Sequence, residues 1–413
     1  MTSTAPQLLP YLERLLDGET VEWKTLGEVA ELVRGNGLSK KDFSEYGVPA
    51  IHYGQIYTYY GNETEETLSF VSPTIAKKLQ KVYPGNIVIT NTSENVEDVC
   101  KAVLYSGNVE AVTGGHATII RPKDYILPKY LVYYTLTLDF FTQKKRLAKG
   151  TKVIDVSAKD LAKIVLPLPP LRVQARIVDI LDKFTQLEAE LEAELEARKK
   201  QYAYYRDQLL KFSQYPPLNV NTEWKTLGEV AEYVRQRVAV DQLCAQTYVG
   251  VDNLLPNRAG KQDSNYLPTE GNAIAYQPND ILIGNIRPYL KKIWKADNEG
   301  GASGDVLVVR IKNSLLTPGY LYHLLADDRF FSYDMQHAKG AKMPRGNKEK
   351  ILDYVIPLPP LSEQRRIVEI LDRFDTLTNS ISEGLPREIA LRRKQYEYYR
   401  DALLRFPPPA PTA

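Results

Sequence analysis

Three stretches of the sequence carry side chains suited to contacting a nucleic acid. The first is IHYGQIYTYYGN (51–62), in which tyrosines surround a glutamine. Glutamine and asparagine can form paired hydrogen bonds with an adenine edge, and tyrosine hydroxyls can bond phosphate oxygens. The alternative interpretation is a tyrosine-rich hairpin at a protein interface. The candidate contacts in this stretch are Tyr53, Gln55, Tyr57, Tyr59 and Tyr60.

The second stretch, GNIRPYLKKIWK (284–295), alternates cations with aromatic rings. Arginine can pair with guanine edges in the major groove, and lysine neutralises phosphates. The alternative is an exposed strand edge whose lysines discourage pairing with another chain. The candidates here are Asn285, Arg287, Tyr289, Lys291 and Lys292, and two further amides, Asn91 and Asn253, complete the set of candidate base contacts.

The third feature is a pair of basic runs at matching positions, each shortly before a PLPPL motif. FTQKKRLAKGTK occupies 141–152 and HAKGAKMPRGNKEK occupies 337–350. A single run would ordinarily be a solvated loop, whereas two at equivalent positions indicate phosphate contacts on two DNA segments. The candidates are Lys144, Lys145, Lys149 and Lys152 in the first run and Lys339, Lys342 and Arg345 in the second.

Catalytic and metal-binding patterns are missing from the sequence. There is no GxxxxGK[ST] phosphate loop and no GxGxxG motif, and the four histidines lack metal-ligand spacing. Cys100 and Cys244 are too few for a structural zinc site or a disulfide framework, and a small buried side chain is the better interpretation of Cys100. We therefore expect no enzymatic activity, no catalytic residue, no metal and no cofactor in this chain.

Composition indicates a multidomain protein without a membrane span. The 413 residues predict two or three domains, because one core rarely grows beyond about 250–300 residues. No run of 18 apolar residues occurs, and MTSTAPQLLPYLERLLDGE lacks the basic start of a signal peptide, so we expect a cytoplasmic protein. The net charge of +2 is low for a nucleic-acid binder, but 28 tyrosines beside 10 phenylalanines suit an interaction surface.

The chain contains a long internal repeat of roughly 200 residues. EWKTLGEVAELVR (22–34) recurs as EWKTLGEVAEYVR (223–235), LPLPPL (166–171) recurs as IPLPPL (356–361), and RKKQYAYYRDQLLKF (198–212) recurs as RRKQYEYYRDALLRF (392–406). The segments between these borders diverge. A duplicated frame with different fillings predicts two distinct recognition surfaces, and the alternative is an ordinary duplication whose fillings drifted.

Each PLPPL motif is predicted to precede a long helix. Apolar residues follow at alternating spacings of three and four, which is the seam of a coiled coil, so we expect the two helices to pack on each other. Gly384 and Pro386 are expected to break the second helix. The candidate seam or partner-docking residues are Phe184, Leu191, Tyr202, Tyr205 and Leu209 in the first helix and Phe374, Leu377, Tyr396, Tyr399 and Leu403 in the second.

The fillings combine short β-rich runs with helical segments, so the predicted fold class is α+β. The runs IVIT (87–90), ATII (117–120), DILIG (280–284) and VLVVRI (306–311) predict strands, and 128–143 and 318–333 predict one helix each. The predicted divisions are an N-terminal segment (1–21), a mixed α/β domain (22–165), a helical region (166–212), a linker (213–221), a second mixed domain (222–355), a second helical region (356–406) and a tail (407–413).

The repeat borders resemble the specificity subunit of type I restriction-modification enzymes. The likeness covers almost the whole chain, and ILDKFTQL…AEL…RKKQYAYYRDQLL resembles the type IC subfamily in particular. The resemblance implies two target-recognition domains, each reading one half of a bipartite, asymmetric DNA site. It also implies that the helices pack antiparallel as a spacer, and that YLERLL (11–16) docks near the C-terminus to close a circular, pseudo-twofold arrangement.

The same resemblance implies partners that carry the chemistry. Two modification subunits would bind S-adenosylmethionine and methylate adenine, and restriction subunits would cut DNA using ATP and magnesium. In the type IC group the number of four-residue Leu-Glu-Ala-Glu units sets the spacer between half-sites; here they run from Leu187 to Leu195. The alternatives are a protein-interaction scaffold with two tyrosine-rich domains, a stand-alone enzyme, and a regulatory or anti-restriction paralogue.

Overall fold

The computed structural model describes residues 10–212, 222–380 and 383–407. The chain forms two compact units. The first contains the described residues up to Ala189 together with those from Leu391 onward, and the second contains those from Glu190 to Ala390. Each unit therefore combines one mixed domain with helical segments. The predicted linker at 213–221, and the tail apart from Pro407, lie outside the described residues.

The first half of the chain contains fourteen strands and eight helices among its described residues. The strands are β1 (Glu22–Thr25), β2 (Ala30–Arg34), β3 (Phe43–Ser44), β4 (Val48–Ile51), β5 (Glu63–Thr64), β6 (Ser69–Val71), β7 (Gln80–Val82), β8 (Ile87–Thr90), β9 (Thr92–Ser93), β10 (Ala102–Tyr105), β11 (Ala111–Thr113), β12 (Ala117–Pro122), β13 (Ile154–Asp155) and β14 (Val165–Leu168). The helices are α1 (Pro10–Leu16), α2 (Leu26–Val29), α3 (Tyr53–Thr58), α4 (Pro73–Ala76), α5 (Pro128–Thr135), α6 (Leu138–Leu147), α7 (Ala158–Leu161) and α8 (Leu171–Leu210).

The second half has the same kinds of element in a similar order. Its strands are β15 (Glu223–Thr226), β16 (Ala231–Tyr233), β17 (Arg237–Ala239), β18 (Tyr248–Val249), β19 (Asn272–Tyr276), β20 (Ile281–Gly284), β21 (Ile293–Lys295), β22 (Gly300–Ala302), β23 (Val306–Ile311) and β24 (Val355–Leu358). Its helices are α9 (Leu227–Val230), α10 (Pro318–Leu325), α11 (Asp328–His337), α12 (Lys348–Leu352), α13 (Leu361–Asn379) and α14 (Gly384–Leu403).

Each unit contains two larger sheets; three of the four include one parallel pair of strands, and the sheet around β20 is antiparallel throughout. In the first unit the strand orders are β2-β12-β8-β10-β5 and β3-β6-β4-β11-β7, and in the second they are β16-β23-β20-β21 and β17-β19-β22-β18. The central strands β8 and β20 are buried at all four positions, in keeping with their largely apolar sequences IVIT and ILIG. The predicted strands are confirmed, and the α+β fold class is confirmed with two sheet-rich domains and long helices.

The repeated EWKTLGEV border has the same local structure in both units. Trp23 lies opposite Pro167 in the β1–β14 ladder, as Trp224 lies opposite Pro357 in β15–β24. The Thr-Leu-Gly-Glu segment that follows forms a capping box, in which the Thr25 amide donates to a Glu28 carboxylate oxygen at 2.6 Å. These bonds lower the pKa of the Glu28 carboxyl. The repeated Thr-Leu-Gly-Glu sequence thus begins an equivalent short helix in each unit, α2 in the first and α9 in the second.

The two segments predicted as single helices each form two helices. Thr137 ends the first half of 128–143, and its hydroxyl accepts a hydrogen bond from the Phe140 amide at 3.2 Å. Asp327 does the same in 318–333, accepting from the Arg329 amide at 2.9 Å. Threonine and aspartate are preferred N-cap residues, so each one starts a new helix. The single-helix predictions for these segments are wrong.

A buried glutamine fixes the start of each long helix. Gln174 accepts a hydrogen bond from the Leu127 amide at 2.8 Å and donates to the Pro169 carbonyl at 2.8 Å. Gln364 makes the equivalent bonds in the second unit, accepting from the Thr317 amide at 2.9 Å and donating to Pro359 at 2.9 Å. Both glutamines are fully buried. The PLPPL motif and the first turn of its helix are thus tied to the sheet-bearing part of their unit.

Aromatic rings form the helix seam within each unit. In the first unit Phe184 stacks on Tyr399 at 5.6 Å and contacts Tyr396 at 6.4 Å, while Glu188 pairs with Arg393, so this packing is antiparallel. In the second unit Phe374 stacks between Tyr202 at 5.9 Å and Tyr205 at 5.5 Å. The other predicted seam residues are Leu191 and Leu377, which are half-buried, Leu209, which packs against the second core, and Leu403, which belongs to the first core.

Helix α1 packs near the end of α14, and the predicted break in the second long helix is confirmed. Leu12 and Leu16 of α1 share a core with Leu403, Leu404 and Phe406; residues 1–9 lie outside the described part. The second long helix ends at 379 and restarts at 384, where glycine has a φ of +73°. In the described ranges, no helix is both long and apolar enough to cross a membrane. The pseudo-twofold, circular arrangement stays a prediction.

Candidate nucleic-acid interface

In the first unit a lysine-bearing hairpin pairs with the segment that follows the central strand. Strand β13 pairs with β9, and Lys149 forms a bridge with Asp155, which closes the turn between them. Gly150 occupies the turn with a φ of +103°, a conformation that other residues rarely adopt. Lys149 and Lys152 are exposed on this hairpin, although the Lys149 ammonium also contacts the Asp160 carboxylate at 2.8 Å.

The tyrosine-rich segment lies beside this hairpin as helix α3. The Tyr57 hydroxyl donates to the carbonyl of Thr92, in β9, at 2.7 Å, and burial raises the pKa of that hydroxyl to about 12. Tyr53 packs against the His116 imidazole at 4.8 Å, and His116 Nδ1 lies 3.0 Å from the Thr92 hydroxyl. Thr92 therefore joins two features that lie about a hundred residues apart in the sequence, the tyrosine segment and the first basic run.

In the second unit the equivalent hairpin pairs with the GNIRPYL segment. Ile286 forms a bridge with Arg345, and the Arg287 amide donates to the Pro344 carbonyl at 2.7 Å. Arg345 also bridges Lys339 across a turn that contains Gly340, with a φ of +100°. The second and third predicted features are therefore brought together here. The exposed side chains of this face are Arg287, Tyr289, Lys339, Lys342 and Arg345.

The two hairpins are the same element repeated at an offset of 190 residues. Lys149-Gly150-Thr151-Lys152 corresponds to Lys339-Gly340-Ala341-Lys342. In both units the hairpin bridges the residues just after the buried central strand. We name these surfaces the first hairpin face (Arg34, Tyr53, Thr92, His116, Lys149 and Lys152) and the second hairpin face (Arg287, Tyr289, Lys339, Lys342 and Arg345).

Backbone strain marks the second hairpin face. Arg287 and Lys291 have φ values of 54° and 52° on either side of Pro288-Tyr289-Leu290. Left-handed conformations cost free energy in residues other than glycine, and they concentrate where a side chain must be held in a particular direction. The Lys291 ammonium meets the Asp328 carboxylate at 2.7 Å, which holds one end of the turn. Tyr289 between them is 49% exposed.

The structure corrects the three asparagine predictions. Asn91 is fully buried, donating to the Val156 carbonyl at 2.7 Å and accepting from the Thr118 hydroxyl at 2.9 Å. Asn253 is buried and accepts from the Gly250 amide at 2.8 Å, and Asn285 is 5% exposed. A side chain buried in this way cannot reach a base edge. The side chains of Asn91 and Asn253 instead bond the backbone of neighbouring segments.

Several other side chains predicted to contact DNA are buried or form hydrogen bonds with other groups of the protein. Lys144 is 5% exposed and donates to the carbonyls of Glu97 at 2.8 Å and Val99 at 2.6 Å; burial lowers its pKa. Lys292 is buried and donates to Val251 at 2.7 Å. The tyrosine segment contains two further cases, Gln55, which donates to the Ser69 hydroxyl, and Tyr60, which is buried in the core.

Two exposed residues outside the hairpin faces remain candidates for DNA contacts. Tyr59 at the end of α3 is 64% exposed, and Lys145 on α6 is exposed.

Arg34 and His116 also belong to the first hairpin face, although neither is predicted as a contact from the sequence. Arg34 donates to the Gly115 carbonyl at 3.3 Å, beside His116, and lies 3.8 Å from Asp155. The GGHATII motif was the available signal, but its histidine also fitted an ordinary loop or core position.

The described residues contain no grouping of three or more histidine, cysteine, aspartate or glutamate side chains that could hold a metal ion. Cys100 is buried as predicted, and burial raises the pKa of its thiol to about 12. Cys244 is exposed. Cations are displayed on both hairpins, with aromatic rings beside them.

Comparison with known proteins decides the family. A sequence model described as the type I restriction modification DNA specificity domain matches residues 18–197 and 219–391. The chain belongs to this family. Type I specificity subunits recognise DNA and are not themselves catalytic, so the duplicated units of this chain form a DNA specificity subunit of a type I restriction-modification system. The scaffold interpretation is not favoured.

Individual relatives in the same family align with almost the whole length of this chain. The chain is 33% identical to the type I restriction enzyme EcoR124I/EcoR124II specificity subunit of Escherichia coli over 428 aligned positions, covering 97% of this chain and 98% of the relative. It is 29% identical to the EcoprrI specificity subunit of Escherichia coli, covering 91% and 92% of the two chains.

Solved structures share the fold of this specificity subunit. The S subunit of the type I restriction-modification system from M. genitalium matches with a TM-score of 0.56 at 14% identity, covering 94% of this chain and 97% of that one. A chain from a structural study of complex assembly and conformational transition of the type I R-M system matches with a TM-score of 0.62 at 17% identity, covering 97% and 99%.

Proposed function

We propose that each unit of this specificity subunit reads one half of a bipartite, asymmetric DNA site through its hairpin face. The observation that carries the proposal is that both units place the same Lys-Gly-x-Lys hairpin against the segment after the central strand. The lysines would bind phosphates and set the register of the protein on the duplex. The neighbouring side chains differ between units, so the two faces are suited to different bases.

Differences between the faces support an asymmetric site. The first hairpin face displays Tyr53 and His116, whereas the second displays Arg287 and Tyr289. An exposed arginine can bind guanine O6 and N7 together, and tyrosine and histidine can bond or pack on other edges. We propose Arg287 as the base-reading residue of the second unit, with Lys339, Lys342 and Arg345 on phosphates. Tyr53, Tyr59, Lys145, Lys149 and Lys152 are the corresponding candidates of the first unit.

We also propose that the long helices set the half-site spacing and dock two modification subunits. Tyr204 and Tyr398 lie at equivalent positions of the YxYY motif and are 62% and 64% exposed. Their neighbours Tyr205 and Tyr399 are 39% and 38% exposed. Large exposed aromatic residues at repeated positions are typical of protein interfaces. Two matching surfaces on one chain suit two identical partners.

The remaining expectations from the resemblance are part of the same proposal. S-adenosylmethionine would bind to the modification subunits, and ATP and magnesium would bind to restriction subunits that join through the complex. Assignment to the type IC subfamily rests on the Leu-Glu-Ala-Glu repeat and the YxYYRD helix ends. The predicted domain divisions and a cytoplasmic location are likewise proposed.

The salt dependence of duplex binding tests the proposed contacts. The chain, assembled with its modification subunits, should bind a duplex with an affinity that falls linearly on a plot of log K against log salt. Replacing Lys339 and Lys342 with alanine together should reduce the slope by about two, because each phosphate contact contributes about 0.9. The same double substitution at Lys149 and Lys152 should give an equal reduction. An unchanged slope in both variants would exclude the hairpins from the interface.

A further inference from the structure

The tip of each hairpin displays one apolar side chain beside its lysines. Val153 is 59% exposed in the first unit, and Met343 is 51% exposed in the second. They lie 190 positions apart and directly follow Lys152 and Lys342, in the shared pattern Ala-Lys-Gly-x-Lys-apolar. Single exposed apolar side chains are common on protein surfaces. These two, however, recur at the same place in both units, next to lysines that are candidates for phosphate contacts.

The glycine of each turn packs against the backbone of the apolar residue. Gly150 and Gly340 have φ values of +103° and +100°, and a backbone bridge closes each turn. A Cβ atom at Gly150 would collide with the Val153 carbonyl oxygen, and one at Gly340 would lie only 3.2 Å from the Met343 carbonyl oxygen. The two turns therefore hold the apolar residue at a defined distance from the preceding lysines, in a conformation that favours glycine.

The burial pattern shows that the apolar side chain faces outward. In the second unit Pro344 and Gly346 are buried, whereas Met343 and Arg345 are exposed. The backbone bridges at Arg345 keep this segment extended, and alternate residues of an extended segment face opposite sides. Met343 and Arg345 therefore share the outer side of the hairpin. The first unit has the same pattern, with Val153 exposed and the next residue buried.

An apolar side chain between phosphate-binding lysines suits one chemical group of DNA in particular. The major groove is wide enough to admit a two-stranded β-ribbon, and the apolar group that base pairs present there is the 5-methyl group of thymine. Contacts to phosphates fix the register of a protein on the duplex. Lysines that bind phosphates would thus hold the hairpin tip over the groove, where its apolar side chain meets the base edges.

We propose that Val153 and Met343 each contact the 5-methyl group of a thymine, one in each half-site. This inference rests on the proposed function of the two hairpin faces and adds one specificity-determining residue to each unit. Valine is short and branched, whereas methionine is long and flexible. The two side chains therefore reach different depths in the groove, and the two thymines need not occupy equivalent positions in their half-sites.

Deoxyuridine tests the contact, because it pairs like thymidine but lacks the 5-methyl group. The chain, assembled with its modification subunits, is titrated with duplexes that carry the methylated sequence, with deoxyuridine replacing one thymidine at a time. One thymidine in each half-site should be sensitive, and its replacement should weaken binding about fourfold, the factor expected for burying one methyl-sized group. Specific binding that tolerates deoxyuridine at every position would overturn this inference and leave the proposed half-site reading intact.

Serine variants connect each sensitive thymidine to one side chain. Val153→Ser should weaken binding to the all-thymidine duplex about fourfold and remove the sensitivity to deoxyuridine in one half-site only. Met343→Ser should do the same in the other half-site, so each variant is the matched control of the other. Because both side chains are exposed, neither variant should change the unfolding temperature of the chain. A variant that keeps both sensitivities, or loses both, would contradict the assignment.

Val109→Ser is the control for an exposed valine outside the hairpin. Val109 is 58% exposed and follows β10, whose first residues pair with the end of β8, so it lies beyond the opposite end of that sheet from the hairpin. This variant should bind every duplex as the wild-type chain does.

The salt dependence of binding separates a base contact from an indirect effect on the lysines. Val153→Ser and Met343→Ser should keep the wild-type slope of log K against log salt, because they remove no phosphate contact. A reduced slope in either variant would show that the apolar side chain only positions the neighbouring lysines, and would overturn the proposed thymine contact. The alanine substitutions of the lysines test the proposed function separately.

Discussion

Arg287 is the exposed cation whose position is most tightly defined by the backbone. Its φ of 54° and its amide bond to Pro344 fix the direction of the side chain, and Tyr289 follows it at the surface. A side chain that only binds a phosphate does not need a fixed backbone conformation, because a flexible lysine can reach a phosphate from many backbone positions. Arg287 is therefore the residue at which base reading and phosphate binding can be separated.

Replacing Arg287 with alanine is expected to weaken binding to the cognate duplex by about 1–3 kcal/mol, with a much smaller loss on random duplex. The reason is that a bidentate contact to one base discriminates by about that amount. Competition binding of the assembled complex at one salt concentration measures both affinities. Lys312→Ala is the matched control and should leave both affinities unchanged, since this exposed lysine lies outside the second hairpin face and donates to the Gly228 carbonyl. Equal losses on the two duplexes would make Arg287 a phosphate contact.

Neighbouring lysines on α6 are expected to respond differently to the same substitution. Lys144→Met leaves the carbonyls of Glu97 and Val99 without donors, so it should lower the free energy of unfolding by about 2–4 kcal/mol. Lys145→Met should leave stability within about 0.5 kcal/mol, because the side chain is exposed. Denaturant unfolding of the full-length chain makes the comparison. Similar stability of the two variants would show that Lys144 has no structural role.

The candidate site could be predicted from the sequence only as far as residue type allows. The Lys-Gly-x-Lys turns are visible in the sequence as basic runs, and Arg287 is visible in a separate stretch that only the structure brings beside the second run. Burial was not visible: Asn91, Asn285, Lys144 and Lys292 have the composition of a DNA contact but lie beneath the surface. Which of two adjacent lysines points inward depends on helix packing, and no local pattern reports that.

At the scale of elements, α8 is the feature with the clearest mechanical consequence. Its 40 residues form one continuous helix about 60 Å long, with aromatic contacts around Phe184 in one unit and around Tyr202 in the other. The Leu-Glu-Ala-Glu units lie between these two contacts. A change in their number therefore alters helix length without removing either aromatic cluster.

Inserting Glu-Ala-Glu-Leu after Leu195 is expected to lengthen the spacer of the recognised site while leaving both half-sites unchanged. Four residues add about 6 Å of helix and rotate its far end by about 40°. Sequencing of methylated sites in cells that make the variant with its partner subunits measures the spacer. Glu194→Gln, which keeps the length, is the control and should give the original spacer. An unchanged spacer in the insertion variant would show that the helix does not act as a ruler.

Elements marked in the sequence by apolar runs or by glycine and proline were predicted correctly. Helix boundaries that depend on one N-cap side chain were not. The buried runs IVIT and VLVVRI form β8 and β23, and glycine with proline interrupts the second long helix at 384. The helices at 128–143 and 318–333 divide because Thr137 and Asp327 cap new turns. Such side chains can equally continue a helix facing solvent, so the sequence alone leaves the choice open.

For the whole molecule, the internal repeat is both the strongest sequence signal and the basis of the proposed function. The same borders, capping boxes and hairpins occur twice, while the side chains displayed between them differ. Two equivalent units with different faces can recognise two different half-sites. The central claim is therefore that the duplication itself, and not any single residue, makes the recognised site bipartite.

Methylation mapping in cells that make this chain with its modification subunits tests that claim most directly. Single-molecule sequencing of the DNA should reveal one motif with two unlike half-sites separated by a spacer of fixed length and unspecified sequence. Alanine at Arg287 should relax only the half-site read by the second unit, and alanine at Tyr53 only the other. A single continuous motif, or relaxation of both half-sites by either substitution, would contradict the account.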